Sequence, residues 1–335
     1  MNRPGMPDPT PIVRLTTAFW DSQALLTANR LQLFDQLANG PRSAGDVAAA
    51  LGLDARLTGL LLRVLASLGL LEVRDGLFAN SPAAAAFLVT GSPAYMGGAM
   101  RYSDQLYATW GRLEESLRSG RPALAAESYL GDDAQRTRTF VYSMHGRAMG
   151  IARALVEVLD LTGRRALLDV GGGPGTYSIL LTERYAGLRA KVLELPGVAA
   201  VAREIVAAAQ ATDRVTLLDG DYHAAAFGTG HDVVLMSGMF HRESEASCRR
   251  LIEKARDCLV PGGLLAVSDV FADEGGCSPP FAASFGLNMA LTAPDGTVHA
   301  DADVARWMRE AGFTDLTTRA LPPPMPHRVV TGRLP

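Results

Sequence analysis

The chain is predicted to be an α/β protein, a doubly wound parallel sheet preceded by a mainly helical domain that ends in a two-stranded wing. Three observations lead there. Beyond residue 160, short apolar runs alternate with helical patterns, as in a sheet covered by helices on both faces. Residues 167–175, Leu-Leu-Asp-Val-Gly-Gly-Gly-Pro-Gly, read as a strand that ends in an acid and breaks into a glycine turn. Ahead of residue 95, three helical patterns precede an Asp75-Gly76 turn flanked by apolar runs, the signal of a hairpin.

The elements follow in order. Ile12 to Leu33 carries Leu15, Ala18, Phe19, Leu25 and Leu26 at helical spacing. Ser43 caps a short helix that Gly52 stops; Asp54 caps the next, whose Leu57, Leu60, Leu61, Val64 and Leu65 are expected on one face. Leu70–Val73 and Leu77–Ala79 form the wing. Helix, helix, helix, wing is a winged helix, so residues 12–95 are read as one domain. Residues 96–160 are mostly helical and carry Met96, Met100, Tyr102, Tyr107, Trp110, Phe140, Tyr142, Met144 and Met149. Singly these read as ordinary core; collectively they suit a flat apolar substrate. His145 and Arg147 are expected at the surface. In the third segment, 161–335, strands are expected at Ala166–Val170, Ala190–Leu193, Val215–Leu218, Val233–Met236 and Leu264–Val267, with a weaker one at Thr314–Arg319. Pro261-Gly262-Gly263 is expected to be the turn before a buried strand, and Leu321-Pro-Pro-Pro-Met-Pro reads as a tail.

Composition narrows the function classes. A chain of 335 residues, 48% hydrophobic, can build two full cores. Net charge is −3, and residues 31–90 hold four arginines, five acids and no lysine. A wing so equipped is poorly suited to neutralise phosphates, so the winged helix is expected to join two copies of the chain in a homodimer and not to bind nucleic acid. Cys248, Cys258 and Cys277 show no metal spacing and read as reduced thiols. Met1-Asn-Arg-Pro-Gly-Met-Pro-Asp-Pro lacks an apolar leader core, and no 18 apolar residues run together. A cytoplasmic protein without a membrane span is expected.

The glycine turn carries the chemistry. Glycines let a ligand approach the backbone, and the helix after Thr176 points its N–H groups at it. Glu194, 19 residues after Gly175, ends a second strand where a carboxylate can accept both ribose hydroxyls of an adenosine. A dinucleotide would use the same acid, and a purely structural turn would use the same glycines. The glycines alternate, however, and position 176 is Thr where Gly-x-Gly-x-x-Gly needs glycine. With Asp169 just ahead, the turn resembles the S-adenosylmethionine (SAM) loop of class I methyltransferases.

Taken as an ordered set, the motifs resemble the SAM-dependent small-molecule O-methyltransferases of the caffeate and acetylserotonin type, over nearly the whole chain. Asp169-Val-Gly-Gly-Gly-x-Gly175 matches the family's cofactor loop, including Gly171 and Gly173. Glu194-Leu-Pro-x-Val198 matches the segment with the ribose acid. Gly220-Asp221-Tyr222 matches a Gly-Asp-Met/Phe turn whose Asp and next side chain hold the adenine. Ser237 falls on a polar cofactor contact and His241 on the catalytic histidine. The resemblance implies a Rossmann-like methyltransferase domain, an N-terminal dimerisation domain, SAM, and a small-molecule acceptor.

Three departures stand out. The family commonly writes His-Asp-Trp-x-Asp where this chain has His241-Arg-Glu-Ser-Glu245. Asp269 matches the first of two partner carboxylates as a shorter side chain. The second falls on Val298. Methyl transfer from a sulfonium expels a neutral leaving group, so it needs no acid at sulfur and no metal; it needs alignment and a base for the acceptor hydroxyl. His241 is the expected base and Asp269 the residue that holds its tautomer. Methylation at nitrogen or carbon, another SAM-assisted reaction, and a winged-helix DNA-binding ligand sensor are the alternatives.

Overall fold

The computed structural model describes residues 7–124 and 133–335. The first six residues, part of the stretch without a leader core, and 125–132, inside the helical segment 96–160, lie outside the described residues. The chain divides into two compact units, one up to Gln105 and one from Leu106 onward.

The first unit contains α1 (Thr10–Arg30), a 3-10 turn at Leu33–Leu37, α2 (Ala44–Leu51), α3 (Ala55–Ser67), the strands β1 (Leu71–Arg74) and β2 (Leu77–Asn80), and α4 (Pro82–Phe87). Ser43 and Asp46 form a reciprocal capping box at the start of α2, and Gly52 ends it at φ +66°. Asp54 accepts the Leu57 N–H at 2.8 Å to begin α3. Asp75 and Gly76 both have positive φ, the turn that matches strand twist in a two-residue hairpin. Leu33, Phe34, Val47, Leu62, Leu65, Leu71 and Phe78 form the core.

The apolar residues of α3 do not share one environment. The inward face of α3 is Thr58, Gly59, Leu62 and Leu65, whereas Leu57, Leu60 and Val64 are exposed. Leucines surround this helix, so periodicity selects no unique face. Gly59 decides it: a Cβ there would lie 3.6 Å from that of Ala44, so α2 packs closely on that side. α1 also leaves an apolar face in solvent, with Ile12 68% and Leu15 76% exposed beside Val13, Phe19 and Trp20.

α5 (Gly97–Trp110) spans the division. The second unit continues with α6 (Leu113–Ser119), α7 (Ala134–Val158), β3 (Ala166–Val170), α8 (Thr176–Arg184), β4 (Arg189–Glu194), α9 (Pro196–Ala208), β5 (Val215–Asp219), β6 (His231–Ser237), α10 (Glu245–Cys258), β7 (Leu259–Asp269), α11 (Pro280–Ala290), α12 (Asp301–Glu310), β8 (Thr314–Ala320) and β9 (Arg328–Arg333). The sheet order is β5-β4-β3-β6-β7-β9-β8. Alternation along the strands feeds two cores. Leu167, Val233 and Leu235 pack with α7, α8 and α9, while Leu168, Val170, Val234 and Met236 pack with α10 and α12. The chain runs outward from β3 through β4 to β5 and then returns to place β6 on the other side of β3. That reversal opens a crevice at the carboxyl ends of β3 and β6, the ligand position of doubly wound sheets.

The sheet departs from expectation at its far edge. β9, just beyond the Leu321-Pro-Pro-Pro-Met-Pro tail and marked by no strand expectation, inserts antiparallel between β7 and β8, so the sheet is only mostly parallel. Its six residues follow a proline run and hold only two valines, both buried, too short a signal to register. Pro261-Gly262-Gly263 is no turn between elements but a bulge inside β7, where pairing jumps from His231–Leu259 to Val233–Leu264. Among the described residues no helix is long and apolar enough to cross a membrane.

Candidate active site

The carboxyl edge of the sheet gathers the motif residues. Gly171, Gly173 and Gly175 take φ of +63°, +53° and +74°, a region open to glycine at no steric cost. A Cβ on Gly172 would lie 2.6 Å from the Asp169 carboxyl carbon, so the turn folds directly over that acid. Asp169 accepts the Ser178 hydroxyl at 2.7 Å through Oδ2, while its buried Oδ1 has no protein partner. Burial pushes its carboxyl up to about 7, opposed by the Ser178 hydrogen bond.

Glu194, at the end of β4, accepts the Gly173 N–H at 3.0 Å and the Leu195 N–H at 2.9 Å. Burial raises its pKa, and those two donors oppose the rise. Each oxygen keeps a lone pair for another donor. Asp221, beyond β5, is exposed and receives the His223 N–H at 2.8 Å. A Cβ on Gly171 would stand 3.4 Å from both Tyr222 Cε1 and Met239 Sδ, so these two side chains flank the loop. At Gly173 a Cβ would meet nothing within 4 Å. Ser237 ends β6 with a buried hydroxyl that faces the Tyr177 hydroxyl without an ordinary hydrogen bond. An open cradle, an orphaned acid oxygen, an orphaned hydroxyl and a half-satisfied carboxylate fit a ligand that brings a cation and hydroxyl donors, as SAM does.

Next to this cradle, β6 leads into a 3-10 turn, Phe240–Arg242, that presents His241. Ser237 pairs with Ser268 on β7, so Asp269 ends its strand at the same level. His241 Nδ1 lies 2.7 Å from Asp269 Oδ1, and Asp269 Oδ2 accepts the His241 backbone N–H at 3.2 Å. The Val270 N–H adds a third bond at 2.8 Å. Burial favours a protonated Asp269, which is 1% exposed, but His241, His327 and the Val270 N–H outweigh it and hold the carboxyl below its ordinary value. With a carboxylate on Nδ1, the ring's proton sits there and Nε2 is the basic nitrogen. Phe285 of α11 meets the imidazole edge-on at 5.0 Å, Phe281 stacks on Phe285, and the Arg147 guanidinium lies 5.6 Å from the Phe285 ring centre. Val298 packs against the apolar cluster that contains Phe285 and adds no charge.

Several neighbours were invisible in the sequence. His145 and Arg147 are half-buried, contrary to the surface expectation. His145 Nδ1 lies 2.8 Å from Thr176 Oγ1, at the first residue of the helix behind the glycine loop. Burial lowers the pKa of His145. One-sided helical periodicity treats any polar residue as solvent-facing, and α7 is flanked by more than one neighbour. His327 is buried near Asp269, and burial pushes its pKa down to about 4. No signal marks it, because it follows a proline run at the start of the unexpected β9. The nine methionines and aromatics singled out in 96–160 are all partly exposed, so none of them is a fully buried core side chain.

A family model for the O-methyltransferase domain matches residues 110–314, and one for the O-methyltransferase dimerisation domain matches 13–90. The chain is 33% identical over 333 residues to a 3-hydroxy-5-methyl-1-naphthoate 3-O-methyltransferase of Streptomyces sahachiroi, covering 98% of this chain and 96% of the relative. It is 32% identical to the tetracenomycin polyketide synthesis 8-O-methyl transferase TcmO of Streptomyces glaucescens, covering 94% of each. Among solved structures, an O-methyltransferase family protein of Burkholderia thailandensis superposes with a TM-score of 0.86 at 26% identity, over 98% of this chain and 99% of that one. By these matches and its own glycine loop, the chain belongs to the O-methyltransferase family, as a SAM-dependent methyltransferase that carries the family's dimerisation domain.

Proposed function

We propose that the protein methylates a hydroxyl on a flat, aromatic, polyketide-like acceptor, with His241 as general base and Asp269 as the residue that holds its tautomer. The His241–Asp269 pair, set on the edge that carries the glycine loop, supports this reading above all. When bound, SAM supplies a methyl group on a sulfur that departs uncharged. Gly171, Gly173, Glu194, Asp221, Tyr222 and Ser237 are the residues to hold it. His241 Nε2 takes the proton of the acceptor hydroxyl, and Asp269 stabilises the imidazolium that results. Phe281 and Phe285 offer a flat apolar wall, and the nearby Arg147 cation favours an acceptor that carries negative charge. One relative is named for a hydroxynaphthoate, a flat aromatic acid, and the other for tetracenomycin polyketide synthesis, which supports an aromatic, polyketide-like acceptor.

The exposed apolar face of α1 supports a homodimer formed through the first unit. Three free cysteines support a cytoplasmic setting. The test is incubation with methyl-labelled SAM and a panel of hydroxynaphthoates, anthraquinones and simple phenols, with product analysis by mass spectrometry and NMR. A methyl ether on a ring hydroxyl is expected. Label found on carbon or nitrogen, with no ether from any acceptor, overturns the reading.

A further inference from the structure

The altered motif after His241 places an acid, Glu243, where the resemblance has Trp. Glu243 closes the 3-10 turn and is 7% exposed. Its Oε1 accepts the Tyr222 hydroxyl at 2.6 Å and lies 3.2 Å from His223 Nε2. Oε2 accepts the Ser247 hydroxyl at 2.5 Å. Burial and the neighbouring carboxylate push the Tyr222 pKa up, so the phenol stays a donor. The backbone of the Tyr222 turn is held separately, by Lys254 Nζ donating to the carbonyls of Tyr222, His223 and Ala225.

The altered motif thus meets the side chain after Asp221 in one contact. The family's Met or Phe at 222 and Trp at 243 are both apolar; here a phenol and a carboxylate face each other. The Tyr222 ring edge in turn abuts Gly171. A ring anchored only at its backbone can rotate about its side-chain bonds; a hydrogen bond to a buried, charged acceptor removes that freedom.

We propose that Glu243 is a positioning residue for the cofactor: through the Tyr222 hydroxyl it holds the Tyr222 ring against the glycine loop. The inference rests on the placement of Tyr222 in the SAM site. Glu243 itself need not touch SAM.

Calorimetric titration with S-adenosylhomocysteine tests it in the full-length protein, without any acceptor. Tyr222→Ala should weaken binding by about tenfold, and Tyr222→Phe and Glu243→Ala each by about three- to tenfold, the range of one ordinary intramolecular hydrogen bond. Because both single changes break the same bond, the Tyr222→Phe/Glu243→Ala double variant should be no weaker than the weaker single. Glu243→Gln keeps an acceptor oxygen and should recover most of the affinity. Thermal melts identify any variant that is not folded, and Tyr222→Phe with Glu243→Gln then carries the comparison. The inference is overturned if Tyr222→Ala weakens binding while Glu243→Ala and Glu243→Gln bind as the unaltered protein does, or if the two single losses simply multiply. Unchanged binding by Tyr222→Ala overturns it too, by removing Tyr222 from the site.

Discussion

Asp269→Asn separates the tautomer role from simple packing, because the amide is the same size as the acid. Asp269 accepts three N–H groups: His241 Nδ1–H and Val270 N–H on Oδ1, and the His241 backbone N–H on Oδ2. An asparagine has one oxygen. If that oxygen replaces Oδ1, its NH2 faces the His241 backbone N–H, and a buried donor goes unpaired at a cost of about 1–3 kcal/mol. If it replaces Oδ2, the NH2 faces Nδ1, which must then become the acceptor; Nε2 gains the proton and loses its basicity. Either arrangement misaligns or silences the base, so turnover should fall by about 10²–10⁴-fold while affinity for S-adenosylhomocysteine changes little. The assay is initial rate at saturating SAM, from pH 6 to 9, with whichever phenolic acceptor the unaltered protein methylates. Stability changes with a known sign: Asp269 has a lowered pKa in the folded state, so its contribution is present above the ordinary carboxylate range and is lost as pH falls through the folded value. The Asn variant should lack that acid-side loss. A rate within threefold of the unaltered protein across the pH range would refute the reasoning.

Gly173→Val should abolish S-adenosylhomocysteine binding in calorimetry, because the side chain fills the open space above Gly173 and its φ of +53° disfavours a β-branched residue; retained micromolar binding would place the cofactor elsewhere. Asp169→Asn should remove a pH dependence of the ligand-free protein. With a folded pKa of about 7 against an ordinary 3.8, the protonated acid's contribution is complete below about pH 4 and lost as pH rises to about 7, on the order of 4 kcal/mol for about three pH units. Urea denaturation at pH 5 and pH 8 should show about two-thirds of that loss in the unaltered protein and none of it in the variant. Ile12→Asp combined with Leu15→Asp should convert a dimer into protomers of 35.5 kDa in light scattering, since both side chains are exposed in the single chain; a dimer unaffected by the pair would move the interface off α1.

Where local pattern and tertiary packing agree, the sequence was readable. Ala166–Val170 forms β3 over the expected residues, and the caps at Ser43, Gly52 and Asp54 act as expected, because strand burial and capping are decided within a few residues. The proximity of His241 to Asp269 was also foreseeable, since each follows a strand that ends on the same edge. What escaped depends on distant partners. The buried face of α3 was chosen by Gly59 against Ala44, and β9 is recruited by open backbone groups on β7 and β8. Glu243 could be read only as the loss of a motif residue; its meaning needs Tyr222, 21 positions away, beside it.

The placement of β9 orders events during synthesis. β8 leaves the ribosome before β9, yet it has no place in the sheet without it, because β9 lies between β8 and β7. Until β9 is made and docks, β7 presents an unpaired edge on its β9 side, whose inner residues Leu265, Ala266 and Val267 are all buried in the finished fold. Such an edge is a template for another chain. The nascent protein therefore carries an aggregation-prone edge until β9 docks, and β8, made earlier, must wait as an unpaired segment. Expression at low temperature or slower synthesis acts on this interval, and a point change that weakens β9 would appear first as lost soluble yield rather than as lost activity of the molecules that do fold.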